Sequence, residues 1–381
     1  MKLRKIIIAG AGIGGLSAGI ALRRLGFEVE IIEIAFNLSP IGWGLALAPN
    51  ALFALSHIGL AESVIQAGSV IRRVQMKTWL GKTLKEIPLE TLEARTGGCV
   101  VTLNRSRLHA LLLEVFGESG LHLGNAASCY TETKKQVVLT LENGQEVEGD
   151  LLIGADGIRS SIRRQLFPHA KIQYRYTAWR GLCSAAKLTN GTYLSVLGRG
   201  TRFGCTHTGD GNLSWYATYL APENQVITSP QASLKRYQNW CSPIPDIINS
   251  TCDKAILHTL VYDAEPLSTW SSQRVTLLGD AAHPMTPDMN QGAGQAIEDA
   301  IILASSLEKS STLQEALKLY EFYRIKRTSK IVKQSRQSGQ IEHSQNVISC
   351  SLRNAIYYLT PVDLLLKQLV IASKFDNIYS R

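Results

Sequence analysis

Three short stretches of the chain carry residue types suited to holding a nucleotide. The first, Gly10-Ala11-Gly12-Ile13-Gly14-Gly15, follows the apolar run Lys5-Ile6-Ile7-Ile8-Ala9 and opens a stretch of good helix formers that stops at Gly26. In such a G-x-G-x-x-G turn, Gly10 permits the tight bend, Gly12 lets backbone approach a pyrophosphate, and Gly15 lets helix and strand pack closely. The helix N-terminus then presents unpaired N–H groups to phosphate. Alone the hexapeptide is weak evidence. Glu33 strengthens it, because it ends a second strand about 20 residues on, where a carboxylate accepts ribose hydroxyls. An acid there argues against a 2′-phosphate, and so for FAD or NAD rather than NADP.

The second stretch runs from Asp150 to Arg163, with Asp156-Gly157 at the end of an apolar strand and a helix beginning near Arg159 to Ser161. An Asp-Gly pair at a strand end serves as a plain turn just as readily as a ligand contact. The third is Arg274-Val275-Thr276-Leu277-Leu278-Gly279-Asp280-Ala281-Ala282-His283-Pro284. A Pro- and Gly-rich loop then feeds a helix starting near Gly292. A strand delivers Asp280 to the turn, and the helix start can stabilise negative charge on a bound group.

The elements that position these residues can be read from hydrophobic pattern. Lys5–Ala9 and Glu28–Glu33 are strands flanking a helix from about Gly14 to Leu25, a β-α-β unit. Asn50–Ala67 reads as helix, Val74–Ile87 and Cys99–Leu103 as strands, and Ser106–Phe116 as helix. Strands follow at Gln136–Leu141, Glu146–Glu148 and Asp150–Gly154. From Tyr174 to Leu267, Tyr, Trp and Thr alternate with polar residues and turn signals, an antiparallel-sheet texture. A further strand, Val275–Gly279, precedes helices to the C-terminus. The fold class expected is α/β: a Rossmann-like nucleotide domain (residues 1–72, 97–172 and 272–312) interrupted by a mostly antiparallel β-sheet substrate domain (73–96 and 173–271). C-terminal helices, 313–381, are expected to pack on the nucleotide domain.

Composition narrows the class. The 381 residues are 45% hydrophobic and 19% charged, as in ordinary globular proteins. Seven scattered cysteines form no C-x-x-C pair and no metal spacing, which reads as reduced cytosolic thiols in a cytoplasmic protein. No metal site is expected. The net charge of +9 is concentrated in Tyr323–Arg336, where basic residues fall three or four apart as on one solvated helix face. With no zinc finger, RNA-recognition signature or basic zipper, nucleic acid is not an expected partner. Leu364, Leu365, Leu366, Leu369, Val370 and Ile371 form an apolar cluster that must be buried on this chain, on a partner or at a membrane surface.

Taken together, the three spaced motifs resemble those of the group A FAD-dependent aromatic monooxygenases, which have the p-hydroxybenzoate-hydroxylase-like fold. Within that family they are most similar to the salicylate hydroxylase, zeaxanthin epoxidase and urate hydroxylase branch. The resemblance implies that Gly10, Gly12, Ile13, Gly14 and Gly15 line the FAD pyrophosphate, with Glu33 and Ile34 at its ribose. It places Gly44 beside the isoalloxazine and lets Arg105 reach the FAD. Backbone at Ala127 would meet the adenine. It also makes Asp156 and Gly157, with Ser160 and Arg163, FAD contacts, sets Asp280 at the ribityl and ribose, and brings Gly292 and Ala293 to the flavin ring. Gln295 stands where many relatives have Asn.

The activity implied is hydroxylation or epoxidation of a small aromatic or other electron-rich substrate by a flavin C4a-hydroperoxide. FAD is held non-covalently, NAD(P)H is the transient electron donor and O₂ the co-substrate, in a monomer or homodimer. No second G-x-G-x-x-G is present for the nicotinamide nucleotide, and the family needs none. Arg202, on a strand of the β domain, lies roughly where the urate hydroxylase branch has its substrate arginine, whereas Ser214 falls where that enzyme has a tyrosine, with Tyr216 nearby. His283 reads as a structural histidine. Trp179, His207, Trp215 and Tyr219 are candidates for the pocket wall or for plain core. Alternatives are an FAD-dependent reductase of an isoprenoid or lipid, a tailoring oxygenase for a polyketide or antibiotic, and a non-catalytic FAD module.

Overall fold

The structure, a computed structural model, describes residues 3–38, 42–184, 188–225 and 229–375. The outer ends of the expected domain spans, residues 1–2 and 376–381, lie outside them. Ile6, Ile7 and Ile8 are completely buried, which is why Lys5–Ala9 is a central strand: a continuous apolar run suits a sheet covered on both faces. It pairs in parallel with Glu28–Ile32 on one side and Leu151–Gly154 on the other. Leu121–His122 and Val275–Leu277 complete the five-stranded parallel sheet at its edges. The helices Ile13–Arg24 and Gly292–Lys309 pack on one another beside it.

The chain leaves this sheet after the short helix Ser161–Leu166 and returns at Val275. Between them lies most of a seven-stranded sheet in the order Ile256–Ala264, Ile172–Ser184, Asn212–Tyr219, Thr201–His207, Thr192–Leu197, Arg73–Thr78, Thr83–Pro88. Its pairs are antiparallel except Thr192–Leu197 with Arg73–Thr78, which is parallel. Trp179, Phe203, Trp215, Tyr219 and Tyr237 build a second core on it. A small sheet, Gly44–Leu47 with Val100–Asn104 and Ser69–Ile71, meets the large one where Gly44 N donates to Ser214 Oγ at 2.7 Å.

Several elements differ from the pattern reading. The helix expected over 50–67 is two, Pro49–His57 and Ala61–Ala67. Gly59 separates them at φ +72°, a left-handed conformation that ends a helix. Val74–Ile87 is a hairpin, and the helix Glu90–Thr96 was not foreseen, being only seven residues long. The C-terminal helices divide their allegiance. Leu313–Glu342 packs along Gly292–Lys309, but Val347–Leu359 and Val362–Ala372 lie on the Thr83–Pro88 strand and Glu90–Thr96. The last leucines therefore find their partners on the hairpin side, in a cluster with Ile71, Ile87 and Leu92, rather than on the nucleotide fold.

The basic helix face is not simply solvated. Arg324 is 1% exposed and its Nε donates to Asp299 Oδ1 at 2.7 Å; it also pairs with Glu298. Arg327 pairs with Glu298 and Arg336 with Asp263. Helical spacing put these cations on one face, but that face is the one packed against the protein. Among the described residues no single helix is long and apolar enough to cross a membrane. The bent pair Val347–Leu359 and Val362–Ala372 meets that criterion only jointly, with a 93° break.

Candidate active site

A cavity of about 410 Å³ opens between the parallel sheet and the large antiparallel one. Two helix starts face it. The helix Ile13–Arg24 has Gly12 as N-cap with no side-chain cap, and Gly12, Ile13 and Gly14 line the cavity. The helix Gly292–Lys309 likewise lacks a capping side chain, and Gly292 and Ala293 are on the wall. The first N–H groups of each helix have no intrahelical acceptor, so both ends carry partial positive charge into one space. The half-buried Arg105 guanidinium joins them. Burial pulls it below the usual arginine range, against the attraction of Asp280.

Asp280 supplies the opposite character. It follows the buried strand Val275–Leu277, and Gly279 N donates to Asp299 Oδ2 at 2.9 Å, which fixes the turn. Protein surrounds the Asp280 carboxylate closely, yet its surface is open to the cavity. Burial raises its pKa, against the pull of His283, Arg105 and Arg163. Among the described residues no hydrogen-bond donor reaches it. A carboxylate open to the cavity and with no protein donor is a free acceptor for the hydroxyls of a ligand.

The glycines separate into two kinds. A Cβ on Gly12 would meet no protein atom within 4 Å, so only a ligand requires that position to be bare. A Cβ on Gly15 would lie 2.0 Å from Gly10 O, a requirement of packing alone.

Of the sequence-derived set, Gly12, Ile13, Gly14, Gly44, Arg105, Gly157, Arg202, Asp280, Gly292 and Ala293 come together on this cavity. Gly10, Gly15, Glu33, Ile34, Ala127 and Asp156 do not line it. Glu33 accepts from Ala11 N at 2.7 Å and Ala35 N at 2.9 Å, bracing the glycine turn, while Ile34 points outward. Asp156 Oδ2 accepts from Ser161 N at 2.7 Å, capping the next helix, and Ala127 O accepts from Ser161 Oγ at 2.8 Å. Arg163 ties the second and third motifs together, with Nη1 3.1 Å from Asp280 O.

The resemblance points to Arg202 and Tyr216, but Asp288, Glu342 and Tyr176, which complete the polar floor of the cavity, carry no sequence signal. Arg202 pairs with Asp288, 3.1 Å away, and with Glu342 on the long C-terminal helix. It also lies 5.1 Å from the Tyr216 ring centre. Tyr176 Oη donates to Asp288 at 3.0 Å. Two of the guanidinium's neighbours are thus protein carboxylates, both at Nη1, and its buried Nε has no partner among the described residues. Of the aromatic wall candidates only Trp215 reaches the cavity; Trp179 and Tyr219 are core, and His207 lies 3.1 Å from Leu188 O. His283 is buried against Asp299, which fits a structural role. Gln295 is buried too, donating to Gln291 and Glu298 and accepting from Arg324 at 2.6 Å.

Comparison with known proteins decides what the cavity belongs to. Residues 4–335 match the FAD binding domain family. The chain belongs to that family. It is 37% identical over 363 residues to an aurachin C monooxygenase/isomerase of Stigmatella aurantiaca, covering 94% of each. An FAD-dependent urate hydroxylase of Klebsiella pneumoniae is 28% identical, with 90% and 91% covered. Spinach chloroplastic zeaxanthin epoxidase is 35% identical over 81% of this chain, which spans 48% of that protein. Among solved structures, Klebsiella pneumoniae HpxO complexed with FAD and uric acid superposes with a TM-score of 0.92 at 24% identity, over 97% of this chain and 96% of that one. This member of the FAD-binding family is an FAD-dependent monooxygenase, of a group that hydroxylates or epoxidises its substrates.

Proposed function

We propose that the chain is an NAD(P)H- and O₂-dependent monooxygenase that hydroxylates or epoxidises a small electron-rich organic molecule on the Arg202 side of the cavity. The observation that carries this is the pairing of two uncapped helix starts and Arg105 with the donor-less Asp280 carboxylate. An anionic pyrophosphate suits the first group and sugar hydroxyls suit the second. FAD has both. Gly12, Gly14 and Arg105 would hold its pyrophosphate, Glu33 and Ile34 its ribose end, Asp280 its ribityl and ribose hydroxyls, and Gly292 and Ala293 its ring.

FAD, when bound, would supply the redox chemistry, with NAD(P)H as hydride donor and O₂ as co-substrate. The chain's residues do the rest. The N-terminus of Gly292–Lys309 favours negative charge at the ring edge. Trp43, Trp215 and Tyr216 wall the space beyond and restrict water. Arg202, held by Asp288 and Glu342 and lying against the Tyr216 ring, would set positive charge at the substrate side of the cavity.

An oxygen electrode tests this reading against the reductase alternative. Turnover of a phenol, quinolone, purine or polyketide should consume one O₂ per NAD(P)H oxidised and per product formed. Substrate turnover with no oxygen uptake would identify a reductase.

A further inference from the structure

A second cavity, of about 290 Å³, abuts the first. The two share Ala46, Tyr193, Arg202, Asp288 and Asn290. Their characters differ. Beyond the shared layer the exposed wall is predominantly apolar, made by Ile71, Val74, Met76, Ile87, Leu92 and Leu369. These residues come from separate elements, including the Arg73–Pro88 hairpin, the helix Glu90–Thr96 and the last helix. Interiors pack to crystal-like density, and apolar side chains that line a void lose dispersion contacts on one side. The cavity is partly open, with Ser195, Ser338 and Ser373 also at its wall, and the apolar surface left wet there is a cost that an apolar ligand removes.

The partition between the cavities is weak on one side. Arg202 and Asp288 form a firm ion pair, but Asn290 Nδ2 lies 3.5 Å from Tyr193 Oη, and Tyr193 Oη lies 3.3 Å from Tyr216 Oη. Both distances are long for hydrogen bonds of their kind. Asn290 is also the only non-glycine residue at positive φ among those described, 52°. The seam at Tyr193 and Asn290 is the joint that yields at least cost.

We infer that the second cavity is a subsite for an aliphatic chain on the substrate, so that the enzyme takes an electron-rich ring bearing a long apolar substituent. The ring lies in the first cavity, and the chain passes the Tyr193–Asn290 seam and is covered by the last helix through Leu369. This rests on the first cavity being the substrate site proposed above.

The test is calorimetric titration of the FAD-loaded enzyme with 4-n-alkylphenols, from phenol to nonylphenol. Affinity should rise about fourfold per methylene, then level off when the cavity is full. Leu369→Trp should flatten the series while leaving phenol affinity, flavin content and melting temperature unchanged. Leu92→Ala should move the plateau to longer chains. A series with no chain-length dependence, or no binding at any length, overturns the subsite. So does a rising series that Leu369→Trp leaves intact, because the chain then lies elsewhere. Flavin content and NAD(P)H oxidation are measured separately, so failure of the monooxygenase reading is distinguished from failure of the subsite.

Discussion

His283 Nε2 lies 2.6 Å from Asp299 Oδ2, with both side chains buried, and the same carboxylate accepts from Gly279 N and Arg324 Nε. One carboxylate thus joins the Asp280 turn, the helix Gly292–Lys309 and the long helix Leu313–Glu342. Burial alone would raise its pKa, but His283 and Arg324 outweigh that and bring it down to about 2.

Asp299→Asn should destabilise the protein by about 3–5 kcal/mol, because it leaves Arg324 buried with one partner fewer. A folded pKa below the unfolded value gives stability that is fully present above about pH 4 and is lost as pH falls towards 2. Urea titrations of both proteins should therefore differ by a constant amount above about pH 5 and converge as the pH drops through that window. A difference independent of pH would mean that the carboxylate's charge is not what holds the turn.

Asp280 should behave in the opposite way. Its folded pKa is raised, so the charged form costs the apoprotein stability above the folded pKa, a cost that fades as pH falls towards the unfolded value and is gone below about 4. Asp280→Asn apoprotein should be no less stable than the parent at neutral pH. Asp280→Ala should lower FAD affinity roughly tenfold to a hundredfold. Fluorescence titration with FAD and thermal melting of the apoprotein separate the two effects; unchanged FAD affinity would reduce Asp280 to a turn residue.

Gly12 and Gly15 make a sharper contrast. A methyl at 12 meets no protein atom, whereas one at 15 strikes Gly10 O. Gly12→Ala should fold with an unaltered apoprotein melting temperature and bind FAD at least tenfold more weakly. Gly15→Ala should lower the melting temperature whether or not FAD is present. Equal losses of stability in both variants would show that the turn is built for packing only.

Arg202→Met should cost about 3–5 kcal/mol, since it strands the Asp288 and Glu342 carboxylates. Adding Glu342→Leu should recover part of the loss, and FAD affinity should stay within about twofold throughout. A double variant no more stable than the single would argue that the two residues are not coupled.

The nucleotide half was legible because its determinants are local. Gly10 to Gly15, Glu33 and the Asp280 turn each lie within a few residues of the strand that presents them, and short spacing records that directly. The helix break at Gly59 was less visible, since one left-handed glycine interrupts an apolar pattern that continues on both sides. The carboxylate partners of Arg202 leave no trace in the pattern. Arg202 meets Asp288 and Glu342 only after a strand, a loop and a C-terminal helix converge, and no periodicity marks such a meeting. For the same reason the spacing of Arg324 and its basic neighbours marks a helix face but not what covers it.

The origin of the transferred oxygen distinguishes a monooxygenase from every alternative. The holoenzyme should be supplied with NAD(P)H under ¹⁸O₂ in H₂¹⁶O, with a substrate that accelerates NAD(P)H oxidation, and the product weighed by mass spectrometry. One ¹⁸O atom per product molecule is the result predicted. Product oxygen drawn from water, or turnover that adds no oxygen to the substrate, would contradict it.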